Sequence, residues 1–128
     1  GMMNHEGPGW RLARDPSRRS FPVLIGGDGW AFELTENEWL SLVPLVDELI
    51  NEHKKLENQL MKEESISLEI ERQPWWGCLD GDRESWSLQI ILEGQGEGES
   101  LRGLEAFWPI PAAQAITSAM RTVWDCSY

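Results

Sequence analysis

Alternating apolar and polar positions predict an antiparallel meander of three strands in the first third of the chain. In residues 9–14, Trp10 and Leu12 alternate with Arg11 and Ala13, as in a half-buried strand. Residues 21–25 form a short apolar run, and residues 30–34 alternate again. The glycine-rich stretch between these last two segments is typical of a tight turn.

A long helix is predicted next, from about residue 36 to about residue 61. Thr35 followed by Glu38 forms a capping box, in which each side chain bonds the other residue's backbone amide. Pro44 lies inside this segment and predicts a kink, because an interior proline removes one backbone hydrogen bond. The apolar positions recur at helical spacing: Trp39, Leu42, Val43, Val46, Leu49, Ile50, Leu56 and Leu60.

Four further strands and a second helix follow. Ile66, Leu68 and Ile70 alternate with polar residues, which predicts a strand with one acidic, solvated face. The other strands are expected at 75–79, 86–92 and 101–108, with a flexible acidic loop over 94–100. The second helix follows Pro111, and its apolar positions are Ala112, Ala113, Ile116, Ala119, Met120, Val123 and Trp124.

The predicted order, β-β-β-α-β-β-β-β-α, indicates an α+β fold of two antiparallel β-meanders, each followed by a helix (βββα-ββββα). A chain of 128 residues suits a single domain, which we place at residues 2–128 because Gly1 precedes the first methionine. The two halves repeat in topology, but no sequence repeat is evident.

The chain is acidic, with 22 acidic and 11 basic residues and a net charge of −11. This balance favours solubility and repels nucleic acid and anionic lipid at long range. No stretch is apolar enough to span a membrane, and no secretory signal is visible, so a cytoplasmic location is expected. Cys78 and Cys126 could form a disulfide, but in a reducing cytosol they are expected to be buried free thiols.

Four basic residues are concentrated near the N-terminus: Arg11, Arg14, Arg18 and Arg19. One interpretation is a solvated loop and strand edge, and the other is a local anion-binding patch in which Trp10 takes part. The chain also has eight tryptophans, most of which are expected in the core. Any tryptophan left exposed is a candidate for an interface.

Catalytic and metal-binding patterns are not found in the sequence. His5 lies in a terminus predicted to be disordered, and His53 is interpreted as a surface residue of the charged helix. The glycines of residues 94–99 lack the spacing and the following helix of a nucleotide-binding loop. Glu69 and Glu71 share the polar face of one strand, where solvated carboxylates are expected. We therefore predict a protein that is not an enzyme and has no cofactor or metal.

Several short motifs resemble a family of cyanobacterial domains of unknown function, the family numbered 1818. They are Gly9 to Leu12, Leu24 to Gly27, Trp30 to Thr35, Lys62 to Glu64, Leu88 to Leu92 and Arg102 to Trp108. The chain departs from the family pattern at Glu105-Ala106-Phe107-Trp108, where Glu-Gly-x-Trp is expected. The resemblance implies a fold similar to the Whirly and positive-cofactor-four type of single-stranded-DNA-binding domain, and it implies no activity.

The first hypothesis is a non-enzymatic protein-binding or assembly module, which could be a homodimer. An alternative is single-stranded nucleic-acid binding through Trp10 and the arginine cluster, although the overall charge opposes it. The third hypothesis is an enzyme or small-ligand site in a pocket lined by Trp75, Trp76 or Trp86.

Overall fold

The computed structural model describes residues 2–94 and 102–125, with side chains up to Val123. It confirms the α+β class and the two successive units, each of which is an antiparallel meander followed by a helix. The elements are β1 (Met3–Gly7), β2 (Trp10–Arg14), β3 (Val23–Gly27), β4 (Trp30–Leu34), α1 (Glu36–Glu57), β5 (Ile66–Arg72), β6 (Trp75–Gly81), β7 (Trp86–Leu92), β8 (Leu104–Trp108) and α2 (Ala112–Asp125).

The first meander has a fourth strand that the sequence analysis missed. Met3–Gly7 pairs antiparallel with β2, and His5, expected in a disordered terminus, lies opposite Leu12. The prediction was wrong because this segment is almost entirely polar. Its order comes from backbone hydrogen bonds to β2, which leave no trace in side-chain periodicity.

The two tight hairpins of the first sheet, β1–β2 and β3–β4, share a Gly-x-Gly-Trp pattern, a short repeat that was not predicted. The second glycine of each turn, Gly9 and Gly29, has φ 79°, which glycine adopts without strain. A Cβ on the first glycine, Gly7 or Gly27, would overlap the indole ring of Trp10 or Trp30. Each tryptophan therefore covers a glycine on the partner strand.

Two four-stranded antiparallel sheets have the orders β1-β2-β3-β4 and β5-β6-β7-β8. Helix α1 packs on β5 and β6, while α2 contacts β1, β2 and β7 and so touches both sheets. The sheets also meet directly, since the Trp108 Nε1 donates to the Gly26 carbonyl oxygen at 2.9 Å. The Trp108 ring lies 5.3 Å from that of Trp30, so one core joins the two halves.

Helix α1 begins as predicted and ends four residues earlier than residue 61. Thr35 and Glu38 form the reciprocal capping box, at 3.1 and 2.8 Å. Pro44 lies inside the helix, and the kink stays a prediction. The early end follows from composition, since residues 57–64 are mostly polar or charged and provide no continuous face for the sheet.

The remaining bounds differ modestly from those predicted. Strand β6 is two residues longer, and β8 begins at Leu104 instead of residue 101. The predicted acidic loop lies, from residue 95 on, outside the described residues, as do the side chain of Trp124 and all of Cys126. Cys78 is a buried free thiol, as expected.

Trp39 and Trp108 are both fully buried but differ in the hydrogen bonding of the indole N–H. The Trp39 Nε1 finds no hydrogen-bond acceptor among the described residues, whereas the Trp108 Nε1 is bonded to Gly26. A buried donor without a partner already carries its desolvation cost in the native protein. Removing it is therefore less harmful than breaking a satisfied pair.

We expect Trp108→Phe to destabilise the fold by about 1–3 kcal/mol more than Trp39→Phe, because only the first change removes a hydrogen bond from the buried Gly26 carbonyl. Both changes delete a similar ring area. Urea unfolding of the two variants measures the difference. Equal losses of unfolding free energy would contradict the interpretation.

Candidate functional site

The arginine cluster does not form a single open surface. Because successive strand residues point to opposite faces, Arg11 lies on the outer face of the first sheet and Arg14 on its inner face. Arg14 bonds Glu36 at 2.6 Å, and its side chain is only 11% exposed. Arg18 pairs with Glu33 at 2.6 Å, and Arg19 is exposed.

Trp10 is half-buried over Gly7 and packs against the core. Two of the four arginines in the cluster, Arg14 and Arg18, are thus each paired with a carboxylate. The nucleic-acid hypothesis stays a prediction, with fewer unmatched cations than the sequence suggested.

The three tryptophans of the pocket hypothesis lie in different places. Trp75 is buried, and its Nε1 donates to the Glu38 carbonyl at 2.9 Å. Trp76 lies on the opposite face of the same strand. Trp86 lines a cavity of roughly 250 Å³ beside His53.

His53 is buried at 5% exposure, so its interpretation as a surface residue was wrong. Its Nε2 lies 2.8 Å from the Asp82 carbonyl oxygen, to which it donates, and its ring is 6.1 Å from that of Trp86. Tertiary packing placed this polar residue against β7 at the end of α1. The imidazole thereby fastens the turn after β6 to the helix.

A larger groove of roughly 470 Å³ separates α1 from α2 and is walled mainly by Val43, Pro44, Val46 and Met120. Its charged groups, Asp47 and Arg121, pair with each other at 3.0 Å. The groove therefore offers a ligand no unmatched charge. Within residues 2–94 and 102–125, no group of three or more His, Cys, Asp or Glu side chains could hold a metal ion.

The outer face of the second sheet, on the side opposite the core, has a different character. We call it the acidic face, and strand alternation and pairing define it as Ser67, Glu69, Glu71, Trp76, Cys78, Asp80, Ser87, Gln89, Ile91, Glu105 and Phe107. Four of these residues are carboxylates. None of the residues on this face of the four described strands is lysine or arginine.

An apolar row crosses the acidic face. Trp76 and Ile91 are direct partners on β6 and β7, and each is partly exposed. Phe107 on β8 lies opposite Gln89, diagonal to Ile91, and is 51% exposed. Diagonal neighbours on a sheet are within reach of large side chains, so the three form one row.

Carboxylates lie on both sides of this row. Glu71 is the direct neighbour of Trp76 across the β5–β6 pair, and it accepts a hydrogen bond from Gln73 at 3.1 Å. Glu105 accepts a hydrogen bond from Gln89.

Burial raises the pKa of the Cys78 thiol, as does the nearby Asp80, so the thiol stays protonated at neutral pH.

The sequence contains a signal for this row. In Trp75-Trp76, alternation requires that one indole face outward when the other is buried. The same rule places Phe107 outside, between the buried Ala106 and Trp108. Glu69 and Glu71 do share the exposed face, as predicted.

Elsewhere in the molecule, Arg102 is bound by a carboxylate and an aromatic ring of the same chain. The Arg102 Nη2 and Nε donate to the two carboxylate oxygens of Glu38 at 2.6 and 3.0 Å. The guanidinium carbon lies 5.1 Å from the centroid of the Phe21 ring. This cluster ties the segment before β8 to the first turn of α1.

None of the helices among the described residues is long and apolar enough to cross a membrane. The sequence profile of a family described as "Domain of unknown function (DUF1818)" matches residues 5–123. No curated protein matches the chain.

A similar solved structure is a crystal structure of a protein with unknown function from Prochlorococcus sp. NATL2A, described as from the DUF155 family. It is 44% identical, with a TM-score of 0.86 over 95% of this chain and 98% of that chain. The expected likeness to Whirly-type domains stays a prediction.

Glu38 gives a pH-dependent contribution to stability. Burial raises its pKa, but the hydrogen bonds from Arg102 and from the Thr35 backbone outweigh burial and hold the pKa below the usual 4.5. A lowered folded-state pKa stabilises the fold above the unfolded pKa, and this stabilisation is lost as the pH falls through the folded value.

We expect Glu38→Gln to cost about 1–2 kcal/mol at neutral pH, less than a fully buried charged hydrogen bond because water reaches Arg102. The difference from wild type should shrink as the pH falls below 4.5. Urea unfolding across that pH range measures it. In the control, Glu48→Gln, which breaks an exposed pair with Arg72, should cost under about 1 kcal/mol. A cost for Glu38→Gln that does not change with pH would contradict the assignment.

Proposed function

The chain belongs to DUF1818, a family of unknown function, and we propose from its surface that it is a non-enzymatic protein-binding module. The acidic face is its docking surface, and a partner protein with a basic surface is its occupant. The observation that carries this proposal is the row of Trp76, Ile91 and Phe107, which lies partly open to solvent on a sheet face.

Apolar and aromatic side chains favour such a role. Tryptophan and phenylalanine are enriched in protein interfaces, where they bury a large area at a small entropic cost. Phe107 is half exposed although the core is close by, between neighbours that are buried. Folding does not require an aromatic residue on a solvated sheet face, so a binding role accounts for the exposed ring of Phe107.

Charge complementarity selects the partner. Glu69, Glu71, Asp80 and Glu105 are not balanced by a cation on the same face. A symmetric dimer through this face would bring two such sets together, and like charges at an interface cost several kcal/mol, on the order of a hundredfold or more in affinity. The same charges repel nucleic acid. A basic protein surface instead gains attraction and faster association.

A cytoplasmic location is part of the proposal. It is supported by the buried free thiol of Cys78, because reducing compartments keep cysteines unpaired. A fluorescent fusion of the full chain in its source cell tests this location.

We expect Phe107→Ser to weaken capture of the partner by about tenfold or more, because interface aromatics commonly contribute at this level. Ile110→Ser is the matched control, since Ile110 is also 51% exposed but lies outside the sheet. Affinity capture from native lysate with wild type and both variants, quantified by mass spectrometry, measures the effect. Captured partners should be basic and should be released by salt.

The proposal fails if every captured protein is retained equally by Phe107→Ser and Ile110→Ser, or if the proteins lost are acidic. Light scattering of the same variants separates self-association. A dimer abolished by Phe107→Ser would show that the face binds a second copy instead.

A further inference from the structure

We propose that the acidic face recognises arginine: an extended segment of the partner carries two arginines, with an apolar side chain midway between them. This inference rests on the proposed function and names the chemistry of its partner. Two features support it: the pairs of aromatic and carboxylate side chains on the face, and the way this chain binds one of its own arginines.

The internal example is Arg102. Its guanidinium contacts both carboxylate oxygens of Glu38 and lies over the ring of Phe21. It also donates to the Glu33 carbonyl at 2.7 Å. In this molecule, an aromatic ring and a carboxylate, together with one backbone carbonyl oxygen, thus hold an arginine.

The acidic face has two such pairs, and no arginine lies on this face of the four described strands. Trp76 lies directly opposite Glu71 on the neighbouring strand. Phe107 and Glu105 lie two residues apart on β8, on the same face. Opposed strand residues have Cβ atoms about 5 Å apart, and residues i and i+2 of one strand are about 7 Å apart. Both spacings are within reach of one guanidinium that contacts ring and carboxylate together.

The distance between the two pairs fits an extended peptide. Trp76 and Phe107 are separated by two strand spacings and by one two-residue step along the strand, which gives about 12 Å. Residues i and i+4 of an extended chain are about 13 Å apart, with their side chains on the same side. Residue i+2 would then lie over β7 beside Ile91, between Ile91 and Gln89 and midway between the two arginines.

Lysine would satisfy the charge but not the geometry. The guanidinium is planar, stacks on aromatic rings and bonds a carboxylate through two parallel donors. The lysine ammonium is a compact, strongly hydrated point charge. Discrimination between the two cations therefore separates arginine recognition from simple attraction of positive charge.

The test uses the full chain and the peptide Gly-Arg-Ser-Leu-Ser-Arg-Gly, acetylated and amidated at its ends, titrated at low salt and followed by NMR amide shifts. The arginine peptide should bind about fivefold or more tightly than the same peptide with lysine at both positions. Glu71→Gln and Glu105→Gln should each weaken binding by about threefold or more, and Trp76→Leu should reduce the preference for arginine.

Glu63→Gln is the matched control, because it removes the same charge from an exposed loop and should leave affinity unchanged. Equal affinity for the two peptides, no binding of either, or shifts confined to other surfaces would overturn the inference. The proposed function would still stand if Phe107→Ser then lost a basic partner that Ile110→Ser retained. Loss of that distinction, with peptide selectivity intact, would overturn the proposed partner and leave arginine recognition in place.

Discussion

The contact between Trp108 and the β3 strand is the interaction on which the rest of the structure depends. Each sheet pairs only with itself along its strands, so the two halves need a link through their cores. Trp108 supplies one, with its Nε1 on the Gly26 carbonyl and its ring against Trp30. Trp30 is in turn held over Gly27, so the hairpin glycine and the contact between the sheets form one packed unit.

Burial of Trp108 has a consequence on the other side of the same strand. Because residues alternate across a strand, Trp108 and Ala106 facing inward oblige Phe107 and Glu105 to face outward. The same rule acts on β6, where Trp75 is held by the Glu38 carbonyl and Trp76 faces solvent. The core and the acidic face are thus two sides of one register, and a slip of one residue would exchange them.

The two sheets differ in whether their charged side chains are paired with the opposite charge. The N-terminal arginines are partly neutralised where they lie, since Arg14 is matched by Glu36 and Arg18 by Glu33. The carboxylates of the second sheet meet no basic residue on their own face. A chain with an acidic composition and one basic patch thus carries four carboxylates without a cation on one described sheet face, beside the partly exposed Trp76 and the exposed Phe107.

The period of the apolar positions by itself determined most of the fold, because strand alternation and helical spacing indicate which side of an element is buried. It predicted the strand of Ile66, Leu68 and Ile70 and both helices, while the spacing of Thr35 and Glu38 predicted the capping box. It missed β1, whose pairing depends on backbone hydrogen bonds, and it misplaced His53, whose burial depends on Trp86 and the β6–β7 turn.

The sequence also implied that Trp75 and Trp76 face opposite ways. Only the tertiary structure decided which of them is buried, and which distant strands place Ile91 and Phe107 beside the outward one. Pairing between strands that are far apart in sequence brings these residues together. Local pattern carries no information about that pairing, so the acidic face could be described only once the sheet was assembled.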